Sequence, residues 1–181
     1  MSIDHNDILD FWFHQSTKEQ RWQKNTDYDN IIRHRFEYIY TQAANGELYT
    51  WRSTPQGRLA EIIVLDQFPR NMFRNLPRAF ATDSMALVLA QAAVALAVDK
   101  KLVPEEQAYL YMPYMHSESK TIHRVALTLF SGKGLEENLT YETKHKTIID
   151  RFGRYPHRNE ILGRTSTVEE LEFLKSPDAY F

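Results

Sequence analysis

Residues 53–69 read STPQGRLAEIIVLDQFP, and they decide the fold class. Ser53 and Thr54 bring hydroxyls suited to an N-cap. Pro55 suits a first helical turn, because its fixed φ is already helical and its missing N–H falls where no helical acceptor exists. Ile62, Ile63 and Leu65 then recur at helical spacing, and Pro69 stops the segment.

The same reading extends outward in both directions. Ile8, Phe11, Trp12 and Gln15 open a first short helix, and Ile31, Ile32, Phe36 and Ile39 line a second that Gly46 ends. Beyond Pro69, a helix starts at Thr82 or Asp83 and runs to about Val98. The next starts at Pro104-Glu105-Glu106 and ends before Pro113. Ser117 or Ser119 leads another through Ile122, Val125, Leu129 and Phe130 to Gly132, and a further helix covers Leu139 to Phe152. Ser166-Thr167-Val168-Glu169 reads as a capping box before Leu171, Phe173 and Leu174. No run of strict alternation between hairpin turns interrupts this series. The expectation is one all-α domain over residues 1–181, built as a tetratricopeptide-like array of antiparallel helical hairpins.

Composition bounds the function. The chain has 181 residues, 43% hydrophobic and 13% aromatic, enough for one core. A net charge of -2 gives no global field to draw in nucleic acid or an anionic membrane, so any basic site is local. With no cysteine, disulfides, thiolate metal sites and a cysteine nucleophile are excluded, and a reducing cytoplasm is the expected setting. The acidic start, Met1 to Asp7, and the short apolar stretch Ile8 to Phe13 do not read as a secretion signal. Met85 to Val98, broken by Gln91, falls short of the roughly 20 residues that span a bilayer.

Residues 66–75 and 150–159 share the pattern D-x-F-x-R-x-x-x-R-N. Asp66, Phe68, Arg70, Arg74 and Asn75 match Asp150, Phe152, Arg154, Arg158 and Asn159, and Thr82 aligns with Ser166 as an N-cap for the following helix. Two turns of this kind read as one helix–turn–helix unit built twice. Their polar side chains include Gln67, Arg70, Asn71, Arg74, Arg78, Arg154, His157 and Arg158, and guanidinium forks match carboxylate and phosphate. These residues are candidate ligands for a small anion, and the six Lys or Arg between Lys144 and Arg164 strengthen the local charge. A structural reading stands beside the functional one: Asp66 with Arg70 and Asp150 with Arg154 are i,i+4 pairs at helix ends, as a fold-holding network would have. Under that reading the unshared Gln67, Asn71, Arg78 and His157 are the better candidates.

A second constellation is Tyr111-Met112-Pro113-Tyr114-Met115-His116-Ser117-Glu118. Chain neighbours point in different directions, so these residues do not form a nucleophile–base–orienter chain. His116, Asp66 and Glu118 are the acid–base candidates of the chain. Equally, His116 can be a satisfied core histidine, Glu118 a charge favoured near a helix start, and Ser117 a cap. His116 and His123 lack ligand spacing, so no metal and no cofactor is expected, and His5, His14, His34 and His145 read as surface positions. No phosphate loop, dinucleotide fingerprint or nucleophile elbow occurs. Trp12, Trp22 and Trp51 read equally as core or as an exposed patch.

Leu9-Asp10-Phe11-Trp12-Phe13, Leu65 to Asn71, Pro77 to Asp83, Met112 to Glu118 and Arg151 to Asn159 together resemble the bacterial "domain of unknown function" family numbered 924, over nearly the whole chain. The resemblance implies an all-helical, tetratricopeptide-like fold and no established activity. It also implies a glycine after Phe73-Arg74, where this chain has Asn75, so the match at Asn75 belongs to this sequence alone. Two functions follow from these readings. One is a small-anion cleft with hydrolase-type acid–base chemistry at His116 or Asp66, marked by Arg70, Arg78, Arg154 and His157 lining one pocket with His116. The other is a tetratricopeptide-like groove for a peptide or protein partner, without catalysis.

Overall fold

The computed structural model describes residues 3–179; Met1, Ser2, Tyr180 and Phe181, which belong to the expected 1–181 domain, lie outside the described residues. Ten α-helices follow one another: α1 (His5–Asp10), α2 (Lys18–Trp22), α3 (Thr26–Ala44), α4 (Pro55–Asp66), α5 (Phe68–Met72), α6 (Asp83–Ala95), α7 (Pro104–Met115), α8 (Lys120–Phe130), α9 (Glu136–Phe152) and α10 (Val168–Phe173). No strand occurs among the described residues, and no described helix is long and apolar enough to cross a membrane.

Helix α4 is the axis of the fold. The Thr54 hydroxyl accepts from Gly57 N–H at 3.0 Å, Pro55 takes the first turn, and residues 59–66 are all buried. A helix buried on every side needs neighbours on every side, and α1, α3, α6 and α7 supply them. Gly57 is required where the chain doubles back, since a Cβ there would lie 2.0 Å from the Trp51 carbonyl oxygen. Phe36 and Phe68 rings meet at 5.0 Å, Phe11 packs 4.9 Å from Phe36, and Trp12 is fully buried 5.7 Å from Phe68. The three tryptophans thus differ: Trp12 is core, Trp51 is half-buried and Trp22 is exposed. Along the second half of the chain α6 packs on α7, α7 on α8 and α8 on α9.

Several sequence expectations change. Helix α7 passes through Pro113 and stops at Met115. The lost N–H removes one helical bond, but residues 108–115 are all buried and packing on both faces holds the helix together. Helix α2, capped reciprocally by Thr17 and Gln20, was not expected because it has no apolar stripe, and α1 runs on into a π-helical turn over Phe11–Gln15. The last capping box uses Thr167 with Glu170, one residue later than read from sequence, and Ser119, not Ser117, precedes α8. Thr82 precedes α6, but its hydroxyl donates to the Leu65 carbonyl at 2.6 Å, fastening the end of α4 to the start of α6. His145 is buried, on the same face of α9 as Glu142 and Ile149.

The two matched turns are not copies. Asp66 is fully buried, while Asp150 is exposed and paired with Lys146. The expected Asp150–Arg154 pair does not form, because Arg154 turns to Glu170 at 2.6 Å. Asn75 has a left-handed φ of 63°, the geometry that favours glycine, whereas Asn159 has an ordinary φ of -60°.

Candidate functional site

The end of α4 is where the site begins. Asp66, buried in the last turn, accepts from His116, the residue that caps α7, with Nδ1 2.8 Å from Oδ1. Gln67 Nε2 donates to the other carboxylate oxygen. Arg70, one turn further on, donates to the Asp66 carbonyl and lies 3.4 Å from Oδ1, and its other arm reaches Asp83 at 3.0 Å. Burial opposes ionisation of Asp66, but His116, Arg70 and the hydrogen bonds from His116 and Gln67 outweigh it and hold the carboxyl down at about 2. Burial and the Arg70 charge lower the His116 pKa against the pull of Asp66. The imidazole is therefore neutral at neutral pH, with Nδ1–H donating to Asp66 and Nε2 left as an acceptor. That arrangement is a proton acceptor oriented by a buried carboxylate.

His116 opens into a cleft of about 420 Å³, within the range of small-molecule sites. Gln67, Arg70, Asn71, Arg74, His157 and Arg158 line the same cleft. Arg74 grips Asp29 of α3 through Nε and Nη2 at 2.8 and 2.9 Å, and Asn71 donates to the same carboxylate at 2.8 Å. Arg158 lies between the Phe80 and Tyr155 rings, 4.7 and 4.6 Å from their centroids, with Nη1 3.3 Å from Asp83 and a buried Nε that has no hydrogen-bond partner among the described residues. Burial and the Arg158 charge lower His157 to about 4, and burial lowers His145 to about 3.

Three expected members do not line this cleft, although Glu118 lines an adjoining cavity with His116 and Arg158. Arg78 is exposed, pairs with Glu37 at 3.0 Å and stacks on Phe73, with 3.9 Å to the ring centroid. Arg154 belongs to the fastening of α10 through Glu170 and the Thr165 carbonyl. Glu118 receives Arg164 at 2.6 and 2.9 Å and the Tyr155 N–H at 2.7 Å, so it anchors the 155–164 turn. In each case a partner of opposite charge, Glu37, Glu170 or Arg164, decided the direction, and sequence spacing does not show partners.

The structure also adds residues. Arg21, Met112 and Tyr155 line the cleft, and Asp29 and Asp83 hold its arginines. Behind Tyr155, His123 Nδ1 lies 2.7 Å from Glu142 and Nε2 2.8 Å from the Ser117 carbonyl, with the His123 and Glu142 side chains out of solvent. The sequence signal for that pair was present: His123 shares the buried stripe of α8 with Ala126 and Phe130, and Glu142 shares that of α9 with Ile149. No group of three or more metal-ligating side chains occurs among the described residues.

Fold and cleft together define an all-helical protein with an arginine- and histidine-lined cleft, in which His116 is backed by the buried Asp66. The chain belongs to the family described as "Bacterial protein of unknown function (DUF924)", whose pattern matches residues 8–178. Among solved structures it is similar to the protein of unknown function ATU0120 from Agrobacterium tumefaciens, at 34% identity and a TM-score of 0.90, covering 94% of this chain and 96% of that one. No curated protein matches the sequence.

Proposed function

We propose that the cleft binds a small anion and that His116 is its acid–base group, oriented by Asp66. One observation carries this reading: Arg21, Arg70, Arg74, Arg158 and three histidines line the cleft, and no carboxylate side chain does. The acids Asp29, Asp66, Asp83 and Glu105 pair with these arginines from outside the lining, so they fix the guanidinium planes without competing for the space between them. Arg158 favours the same reading, because burying a guanidinium with an unused Nε donor is costly and a bound anion would repay part of it. Hydrolase-type chemistry would use the Nε2 lone pair of His116 to accept a proton from a bound nucleophile. The tetratricopeptide-like reading draws support from the successive packing of α6, α7, α8 and α9; it would make the cleft a groove for an acidic peptide end.

The test is a thermal-shift series with phosphate, sulfate and citrate on the wild type, Arg158→Gln and the control Arg154→Ala. A ligand at about 100 times its Kd stabilises the folded state by about 2.7 kcal/mol. The expected result is anion stabilisation of the wild type and of Arg154→Ala, lost in Arg158→Gln. No anion effect in any of the three, with both variants simply melting earlier, overturns the proposal.

A further inference from the structure

A second cavity, of about 460 Å³, adjoins the cleft and shares with it Arg21, Trp22, Gln23, Met112, Asn138 and Tyr141. The two form one trough whose ends differ in chemistry. At the Asp66 end stand Arg70, Arg158 and His116. At the other end the lining adds Ala108 and Tyr109 to Met112, Trp22 and Tyr141; its cations are already matched, Lys18 to Glu137 at 3.1 Å and Arg21 to Glu105 at 3.0 Å, and its further charged side chain, Glu19, is an acid. That end therefore offers apolar surface and no unmatched cation for an anionic group.

Trp22 is the telling residue. It is 50% exposed, and its ring lies nearly parallel to Tyr141 at 6.1 Å. An indole left half in water forfeits apolar burial that a ligand can recover. Helix α2, which carries it, is fastened across the trough by side chains, those two ion pairs and the ring stack. Met112 joins the two ends: it lines both cavities, and its Sδ accepts from Gln67 Nε2 at 3.3 Å, the same amide that donates to Asp66. A thioether is adaptable and polarisable, suited to apolar bodies of varied shape.

We infer that the ligand of this site is an amphiphilic anion, with its charged group among Arg70, Arg158 and His116 and an apolar body lying over Met112 against Trp22 and Tyr141. This inference rests on the anion-binding reading above and specifies its ligand class. An anion carrying a ring or an alkyl chain spans the trough, whereas a bare inorganic anion fills only one end.

Calorimetric titration of the wild type with inorganic phosphate, phenyl phosphate and octyl phosphate tests it. The expected result is that both esters bind about tenfold tighter than phosphate or better, since each buries a ring or chain. In Trp22→Ala, and in Tyr141→Ala as a second variant, that advantage shrinks to about threefold or less. Circular dichroism verifies that the variants are folded. Equal binding of phosphate and its esters overturns this inference and leaves the anion site standing. An ester advantage that survives both variants also overturns it, by placing the apolar body elsewhere. No binding by any of the three overturns both readings.

Discussion

The turns at 66–75 and 150–159 carry the same five residues at the same spacing, yet they share almost no contact. In the first, Asp66 is buried beneath His116 and Arg70. In the second, Asp150 faces solvent beside Lys146. Arg74 secures α5 to α3 through Asp29, while Arg158, its match, is wedged between two rings in the cleft. The residues following each turn explain the difference. The first leads by way of Thr82 into α6, with Asp83 placed to receive Arg70; the second leads by way of Thr167 into α10, with Glu170 placed to receive Arg154. A motif sets which groups are available, and the acids supplied by neighbouring helices set what those groups do.

The sharpest way to break this comparison is to remove its first members. Asp66→Ala leaves His116 and Gln67 without the carboxylate that accepts from them and removes a buried charge beside Arg70, and is expected to cost about 3–5 kcal/mol in urea unfolding, whereas Asp150→Ala leaves the unfolding midpoint unchanged within error. Similar losses in the two variants would mean that the turns are equivalent after all.

A second effect is graded by pH. His116, His145 and His157 all have pKa values lowered on folding, His157 to about 4 and His145 to about 3, while in the unfolded chain histidine takes up protons near 6.5. The unfolded state binds protons first, so stability is full above about pH 6.5 and falls as the pH drops toward 4. Urea midpoints at pH 7.5, 6.0 and 5.0 should decline in that order. A flat profile would show that these rings are solvated and the cleft less enclosed than described.

The smallest effect separates the matched asparagines. Asn75→Gly relieves a left-handed backbone at an exposed position and should raise stability by about 0.5 kcal/mol. Asn159→Gly removes a buried amide that donates to Ser166 at 3.0 Å and should cost about 1–3 kcal/mol. Opposite signs in one unfolding series sharpen the contrast; equal signs remove it.

Most helix limits were legible because they rest on local chemistry. Thr54-Pro55 starts α4, and left-handed Gly46 and Gly153 follow α3 and α9. Pro113 misled because burial on both faces of α7 overrides a missing hydrogen bond, and α2 escaped because a capping box without an apolar stripe is a weak sign. Of the candidate site, Gln67, Arg70, Asn71, Arg74, His116, His157 and Arg158 meet in one cleft, with Asp66 directly behind His116. Arg78 and Arg154, of the same residue type, were drawn away by Glu37 and Glu170. The residues were readable, but their convergence depended on contacts across the chain.

The measurement that tests the anion cleft most directly is a long-range proton–nitrogen NMR spectrum of the histidine rings at pH 7.5, titrated with phosphate. His116 is expected as the neutral Nδ1–H tautomer, with Nε2 shifting saturably as phosphate is added while the exposed His14 and His34 stay in place. Phosphate that leaves His116 unmoved, or moves only the surface rings, would contradict the assignment of the cleft as the anion site.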